Sequence, residues 1–173
     1  MNTLNNIHAL IDIDSRKAKT SIIELSKLMR YVLYESNKDY IELTKEITFL
    51  QNYIELMRLR FTESLNIQTD FPLIVPEVKI PPLLLISLLE NAFKHGVSYR
   101  EASFIHICLK IDDGSLIFKC SNSKHRTKKD EHHGVGLENV KKRLQLLFGN
   151  NYTYTVNENE NEYNVSLNIP LNT

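Results

Sequence analysis

The first 62 residues contain neither glycine nor proline; every glycine and proline of the chain falls later. These two residues are the weakest helix formers, so a long run without them favours helix wherever the apolar spacing agrees. Leu4, Ile7, Leu10 and Ile11 supply the apolar face of a short first helix. Asp14 and Ser15 are N-cap residues for a second, over 16–36, in which Ile22, Leu25, Met29 and Val32 recur at 3-4-3 spacing. After SNKDY, Thr44 is the expected N-cap of a third helix over 43–62, with Glu46 well placed for its dipole. Ile47, Leu50, Ile54, Met57 and Phe61 form its seam. Two seamed helices across a short loop make an antiparallel hairpin. Such a hairpin buries too little alone. The expectation is a four-helix bundle completed by a second copy; the competing solution packs the seam onto the rest of the same chain.

Past Thr62 the texture changes, and a domain boundary is expected near 62–64, dividing the chain into 1–62 and 63–173. SLNIQTDFP alternates like a strand, and Pro72, Pro76, Pro81 and Pro82 lead to LLLISLLENAFKHGVS. There Leu84, Leu85, Leu88 and Ala92 recur at helical spacing, and Pro82 suits a first turn. Phe104–Ile111 and Ser115–Cys120 alternate around Asp112-Asp113-Gly114, a hairpin signal. Residues 121–133 are polar throughout and read as a mobile loop, GVGLENVKKRLQLLFG reads as a helix opened by glycines, and a last hairpin spans NENENE. This order gives an α+β sandwich with helices on one face of a mixed or antiparallel sheet.

The formal net charge is zero, so no overall field points to nucleic acid or membrane. Cys108 and Cys120 stand alone in strand-like runs and read as buried thiols. No apolar run approaches the roughly 20 residues of a membrane span, and the N-terminus lacks a signal-peptide pattern.

Ser87, Asn91, Lys94 and Ser98 form a polar stripe on the LLLISLLENAFKHGVS helix, flanked by Glu90 and His95. A chemically mixed stripe on an otherwise apolar helix suggests a lined cleft, against a plain surface face with a Glu90–Lys94 pair. Gly134-Val135-Gly136-Leu137 opens a helix, where backbone N–H groups and the dipole favour an anion, or where a flexible loop merely needs glycine. Neither a Walker loop nor a dinucleotide fingerprint is present.

Taken together, ENAFKHG, a strand pair ending in SNS, and GVGLENVKKRL resemble the C-terminal part of a sensor histidine kinase. The likeness is to the LytS-like family, with a short ATP lid and LytTR-type response regulators. LSKLMRYVLYES, LTKEITFLQNYIELMRLRF, LLENAFKHG and GVGLENVKKRLQLLFG each match a family segment in family order, over nearly the whole chain. The resemblance implies a helical dimerisation hairpin, the homodimer running through helices 16–36 and 43–62, then a Bergerat-type ATP-binding sandwich. It implies ATP and Mg²⁺ as cofactors, and a cytoplasmic domain of a membrane-anchored parent.

On the family pattern Asn91 would hold Mg²⁺ through its carboxamide oxygen, Lys94 would face the phosphates, and Glu90 would orient a metal-bound water. His95 would lie near ribose or phosphate, or make an ordinary helix-end hydrogen bond. Asn122 stands where relatives carry an aspartate that accepts from the adenine amino group; an asparagine accepts without the charge-assisted part. Gly134, Gly136 and Leu137 match a phosphate-cradling glycine box; Asn139 and Arg143 would contact phosphate or fix the lid; Lys128 and Lys129 would reach phosphates or stay solvated. Ser87 replaces the water-activating carboxylate of related ATPases, so little ATP hydrolysis is expected. The family's phosphoacceptor histidine precedes NTLNNI, so the chain is expected to begin after it, and His8 is no substitute. The implied function is the ATP-binding core of a two-component kinase that, at full length, phosphorylates its own histidine and passes the phosphoryl group to a regulator aspartate. The alternative is a non-catalytic nucleotide-binding or dimerisation module with a degraded site.

Overall fold

The computed structural model describes residues 3–61, 65–98, 100–125 and 135–171. Helix α1 (Thr3–Ile13) leads into α2 (Ser15–Glu35) through Asp14, whose carboxylate accepts from the Lys17 amide at 3.0 Å, the cap the sequence calls for. A two-residue strand, β1 (Ile41–Glu42), precedes α3 (Leu43–Arg60). Glu42, not Thr44, occupies the N-cap position of α3, and it makes no side-chain cap bond. The reason is backbone pairing: β1 runs antiparallel to β3 (Lys79–Ile80), and the Leu43 amide donates to the Val78 carbonyl at 2.9 Å, so the helix starts a residue before the threonine.

Five strands form the main sheet: β2 (Leu65–Asp70), β4 (Ser103–Asp112), β5 (Ser115–Ser123), β6 (Thr153–Glu158) and β7 (Glu162–Pro170), in the order β2-β4-β5-β7-β6. β2 pairs with β4 in parallel and the other neighbours are antiparallel, so the sheet is mixed. The β4–β5 hairpin turns on Asp113 and Gly114, both in the left-handed region (φ 44° and 70°), the requirement of the tight turn that follows strand twist. Helices α4 (Ile86–His95) and α5 (Val135–Phe148) complete the α+β architecture.

Alternation along β4 and β5 buries Ile105, Ile107, Leu109, Leu116, Phe118 and Cys120 on one face. Into the same continuous core go Leu85, Leu88, Leu89 and Ala92 from α4 and its N-cap, and Ile47, Leu50, Ile54, Met57 and Phe61 from the α3 seam and its C-cap. The α3 seam, expected to face α2 and a second copy, is thus spent within the chain, because β1–β3 pairing fastens its start beside α4. Arg58 adds a bond from α3 to the Ile67 carbonyl of β2 at 3.0 Å. The sequence boundary at 62–64 lies outside the described residues, and the core runs across it. α2 touches this body through Leu28 and through Tyr31, whose ring stacks on Phe49 at 4.1 Å. Its Ile22, Met29, Val32 and Leu33 remain exposed.

Phe118 is fully buried at the centre of the sheet, while Lys119 beside it is exposed. Phe118→Ala should lower the unfolding free energy by about 3–5 kcal/mol in urea titrations, and Lys119→Ala by no more than about 0.5 kcal/mol.

Candidate functional site

Helix α4 starts without a cap of its own. The residue at its N-cap position is Leu85, which has no side-chain acceptor, and the amides leading into the helix, Leu83–Leu85, need partners from elsewhere. Glu46, one turn into α3, supplies them. Its Oε1 accepts from the Leu84 and Leu85 amides at 3.0 and 3.3 Å; its Oε2 accepts from the Leu83 amide at 3.0 Å and from the Tyr31 hydroxyl. The side chain is fully buried. Burial raises the Glu46 carboxyl above its ordinary value, and the bonds from Tyr31 and the three amides pull it back. The Tyr31 phenol is pushed up as well, by burial first and then by Glu46. Glu46 stands in the first turn of its own helix, as the sequence indicates, and its carboxylate also serves the chain leading into α4.

Arg143 of α5 holds the same segment from the other side. Its Nη1 donates to the Leu83 carbonyl at 2.8 Å and its Nη2 to the Pro82 carbonyl. Leu83 has φ 55°, a left-handed conformation unusual for leucine, and it is fixed at both its amide and its carbonyl. The Arg143 guanidinium fastens the approach to α4; the segment whose fixing was the other expectation lies outside the described residues.

On α4 itself, Ile86, Leu88, Leu89, Ala92 and Phe93 face the core. Glu90 and Lys94 are exposed, and Asn91 and His95 are half-buried. Partial desolvation raises the Glu90 carboxyl, and its charge adds to burial in pushing up the phenol of Tyr53 on α3. Tyr53 meets Phe93 edge-on at 5.7 Å.

The C-terminal end of α4 closes on β5. The Gly96 amide donates to Ala92 at 2.7 Å, and its carbonyl accepts from Ser123 Oγ at 2.7 Å. A Cβ on Gly96 would stand 2.6 Å from both the Ala92 carbonyl oxygen and Asn122 Cβ, so glycine is required by close approach. Asn122 continues the buried row Leu116, Phe118, Cys120 as its one polar member. Its Nδ2 donates to the Ser123 carbonyl at 2.7 Å. The structure therefore brings Asn122 against the end of the helix that carries Glu90, Asn91, Lys94 and His95.

Gly136, Leu137 and Asn139 lie in the first turns of α5; Leu137 packs against the core and Asn139 is exposed. Gly134, Lys128 and Lys129 lie outside the described residues. His125, ahead of that segment, is held between Ser103 Oγ at 3.0 Å and Glu101 Oε2 at 2.9 Å. Among the described residues no group of His, Cys, Asp and Glu could hold a metal ion unaided. On α4 the half-buried Asn91 offers a carboxamide oxygen, a donor type that suits a hard cation. The sequence reading missed Tyr31, Ser103, Glu101 and His125, together with the true partners of Glu46. A charged residue among apolar neighbours in the α3 pattern was the only available signal.

Gly96→Ala should cost about 1–3 kcal/mol of stability, because backbone and a buried Cβ must both yield. Chemical denaturation checks the cost, and the Asn122 side-chain amide resonance should shift in the same variant.

Residues 1–65 match the family described as histidine kinase. The sensor protein LytS of Staphylococcus saprophyticus is 29% identical, over 98% of this chain and 31% of its own length. The sensor histidine kinase/phosphatase LytS of Staphylococcus aureus is 32% identical, over 86% of this chain and 28% of its own length. The chain thus spans about a third of these curated relatives. Among solved structures, the histidine kinase domain of the Erythrobacter litoralis EL346 blue-light activated kinase superposes with a TM-score of 0.55 at 16% identity, covering 99% of this chain and 89% of that one; this likeness concerns the fold. Histidine kinase catalytic domains bind ATP, generally with Mg²⁺, and histidine kinases dimerise and pair with response regulators. By sequence over most of its length the chain is similar to the LytS sensor histidine kinases, its first 65 residues match the histidine kinase family, and its fold is that of histidine kinase domains.

Proposed function

We propose that this chain is the nucleotide-binding core of a two-component sensor kinase, taking Mg-ATP between α4, the end of β5 and the start of α5. The observation that carries the reading is the placement of buried Asn122 against Gly96, at the end of the helix bearing Asn91 and Lys94. In that cleft the Asn122 oxygen accepts from the adenine amino group. Asn91 contributes its carboxamide oxygen to Mg²⁺, and Glu90 orients a water on that ion. Lys94 and His95 lie toward phosphate and ribose. Gly134 and Gly136 let backbone N–H groups approach the phosphates, with Leu137 and Asn139 behind them.

Phosphoryl transfer needs little covalent chemistry from the protein. Its residues position ATP and stabilise charge while an imidazole attacks the γ-phosphorus in line. In the parent protein that imidazole lies on the helical domain, and the phosphoryl group then passes to an aspartate of a LytTR-type regulator. The exposed apolar residues Ile22, Met29, Val32 and Leu33 support a homodimer built chiefly on α2. None of the described helices is long and apolar enough to cross a membrane.

Titration calorimetry with a non-hydrolysable ATP analogue should give a binding heat that Mg²⁺ strengthens. Asn91→Ala should remove that Mg²⁺ dependence, weakening binding about tenfold, or 1.4 kcal/mol. Asn122→Ala should erase the preference for ATP over GTP. The absence of both binding heat and a nucleotide-dependent melting shift in the unaltered chain would leave the non-catalytic module as the correct reading. With Ser87 in place of a carboxylate, ATP turnover by the chain should stay near background.

A further inference from the structure

α4 carries the metal-binding and phosphate-facing groups of the proposed site, so what fixes its position also fixes theirs. The side chains that hold its N-terminal end come from outside the nucleotide cleft. Glu46 reaches from α3 to the amides of Leu83, Leu84 and Leu85, and its remaining donor, Tyr31, comes from α2. A buried carboxylate surrounded by donors on both oxygens has little freedom to shift unless a donor leaves. Tyr31 is the donor most easily removed. It is half-buried, it belongs to a helix largely exposed on its far side, and its ring stack on Phe49 and its hydroxyl help to hold it here. A change in the seat of α2 would take that hydroxyl from Oε2, the oxygen shared with the Leu83 amide. Leu83 is also the left-handed residue that Arg143 holds from α5. One peptide unit thus feels α2 through Glu46 and α5 through Arg143.

We propose that Glu46 is a positioning residue for the nucleotide site, and that its bond from Tyr31 couples the seat of α2 to nucleotide affinity. This rests on the Mg-ATP reading above and goes beyond it, since neither side chain touches nucleotide. The coupling runs both ways: bound nucleotide, by ordering α4, strengthens the Tyr31–Glu46 bond to the same degree that the bond strengthens nucleotide binding.

The test is calorimetry on the whole chain with a Mg²⁺-loaded, non-hydrolysable ATP analogue, at a temperature well below every variant's melting midpoint. Tyr31→Phe keeps the ring on Phe49 and removes only the hydroxyl; it should weaken binding about fivefold. Glu46→Ala should weaken it more than about tenfold. Glu46→Gln, which keeps one acceptor oxygen, should fall between Glu46→Ala and the unaltered chain. In nucleotide-free Tyr31→Phe, the amide resonances of Leu83–Leu85 and the Asn91 side-chain resonance should move. Lower melting midpoints with unchanged affinity would make the cluster merely structural and overturn the proposal. So would an unmoved Asn91 resonance. If the unaltered chain binds no nucleotide, the Mg-ATP reading falls and the proposal falls with it; normal binding that the variants leave unchanged defeats the positioning role alone.

Discussion

The structure turns on one buried carboxylate. Glu46 sits with no exposure at the junction of α2, α3 and α4, where an unpartnered charge would be prohibitively unfavourable. It is tolerable because the amides of Leu83–Leu85, leading into α4, need acceptors and the carboxylate needs donors. The two needs cancel across an interface. The net gain in stability from such an arrangement is modest, but loss of either side is severe, because it leaves a buried charge or buried donors without partners. The interaction therefore acts mainly as a specification: α3 and α4 meet in one register.

That register has a visible origin. The β1–β3 pair sets Ile41 opposite Ile80, and the Leu43–Val78 bond extends the match into the first residue of α3. Glu46 lies one helical turn beyond, and Leu83 follows Ile80 closely, so both reach the same point from two directions. The prolines at 81 and 82 lack amide donors, so the first N–H groups available after Ile80 are those of Leu83–Leu85, which Glu46 receives. The prolines read from sequence as the lead-in to a helix also select which amides are capped.

Much of this molecule was legible from local pattern. The Asp14 cap, the Asp113-Gly114 turn, the alternating strands and the apolar face of α4 are all decided by neighbours a few residues apart, and each formed where its pattern indicated. What escaped was decided at long range. The β1 and β3 strands are two residues each, too short for any periodicity to register. The α3 seam had the correct spacing, but spacing alone does not say which surface it meets. Glu46 and Leu83 are 37 residues apart, and nothing near either one announces the other. In the proposed site, Asn91 and Lys94 stand out in the mixed polar stripe, and Asn122 is singled out only by the family resemblance. Its contact with Gly96 emerged only when β5 was laid beside α4.

The way α4 is held explains how a helix of ten residues can be dependable at its polar face. At one end Glu46 and Arg143 grip the amides and carbonyls of residues 82–85; at the other, Ser123 grips the carbonyl of Gly96. On α4 and its flanks, each of these fastenings engages only main-chain atoms. None draws on the side chains of Asn91 or Lys94, so the helix is fixed without consuming the groups proposed to meet the nucleotide. A site built this way needs little reorganisation when a ligand arrives, which is where binding free energy is most readily lost. The same arrangement makes the polar face sensitive to the helices behind it, because its rigidity is borrowed from α2, α3 and α5.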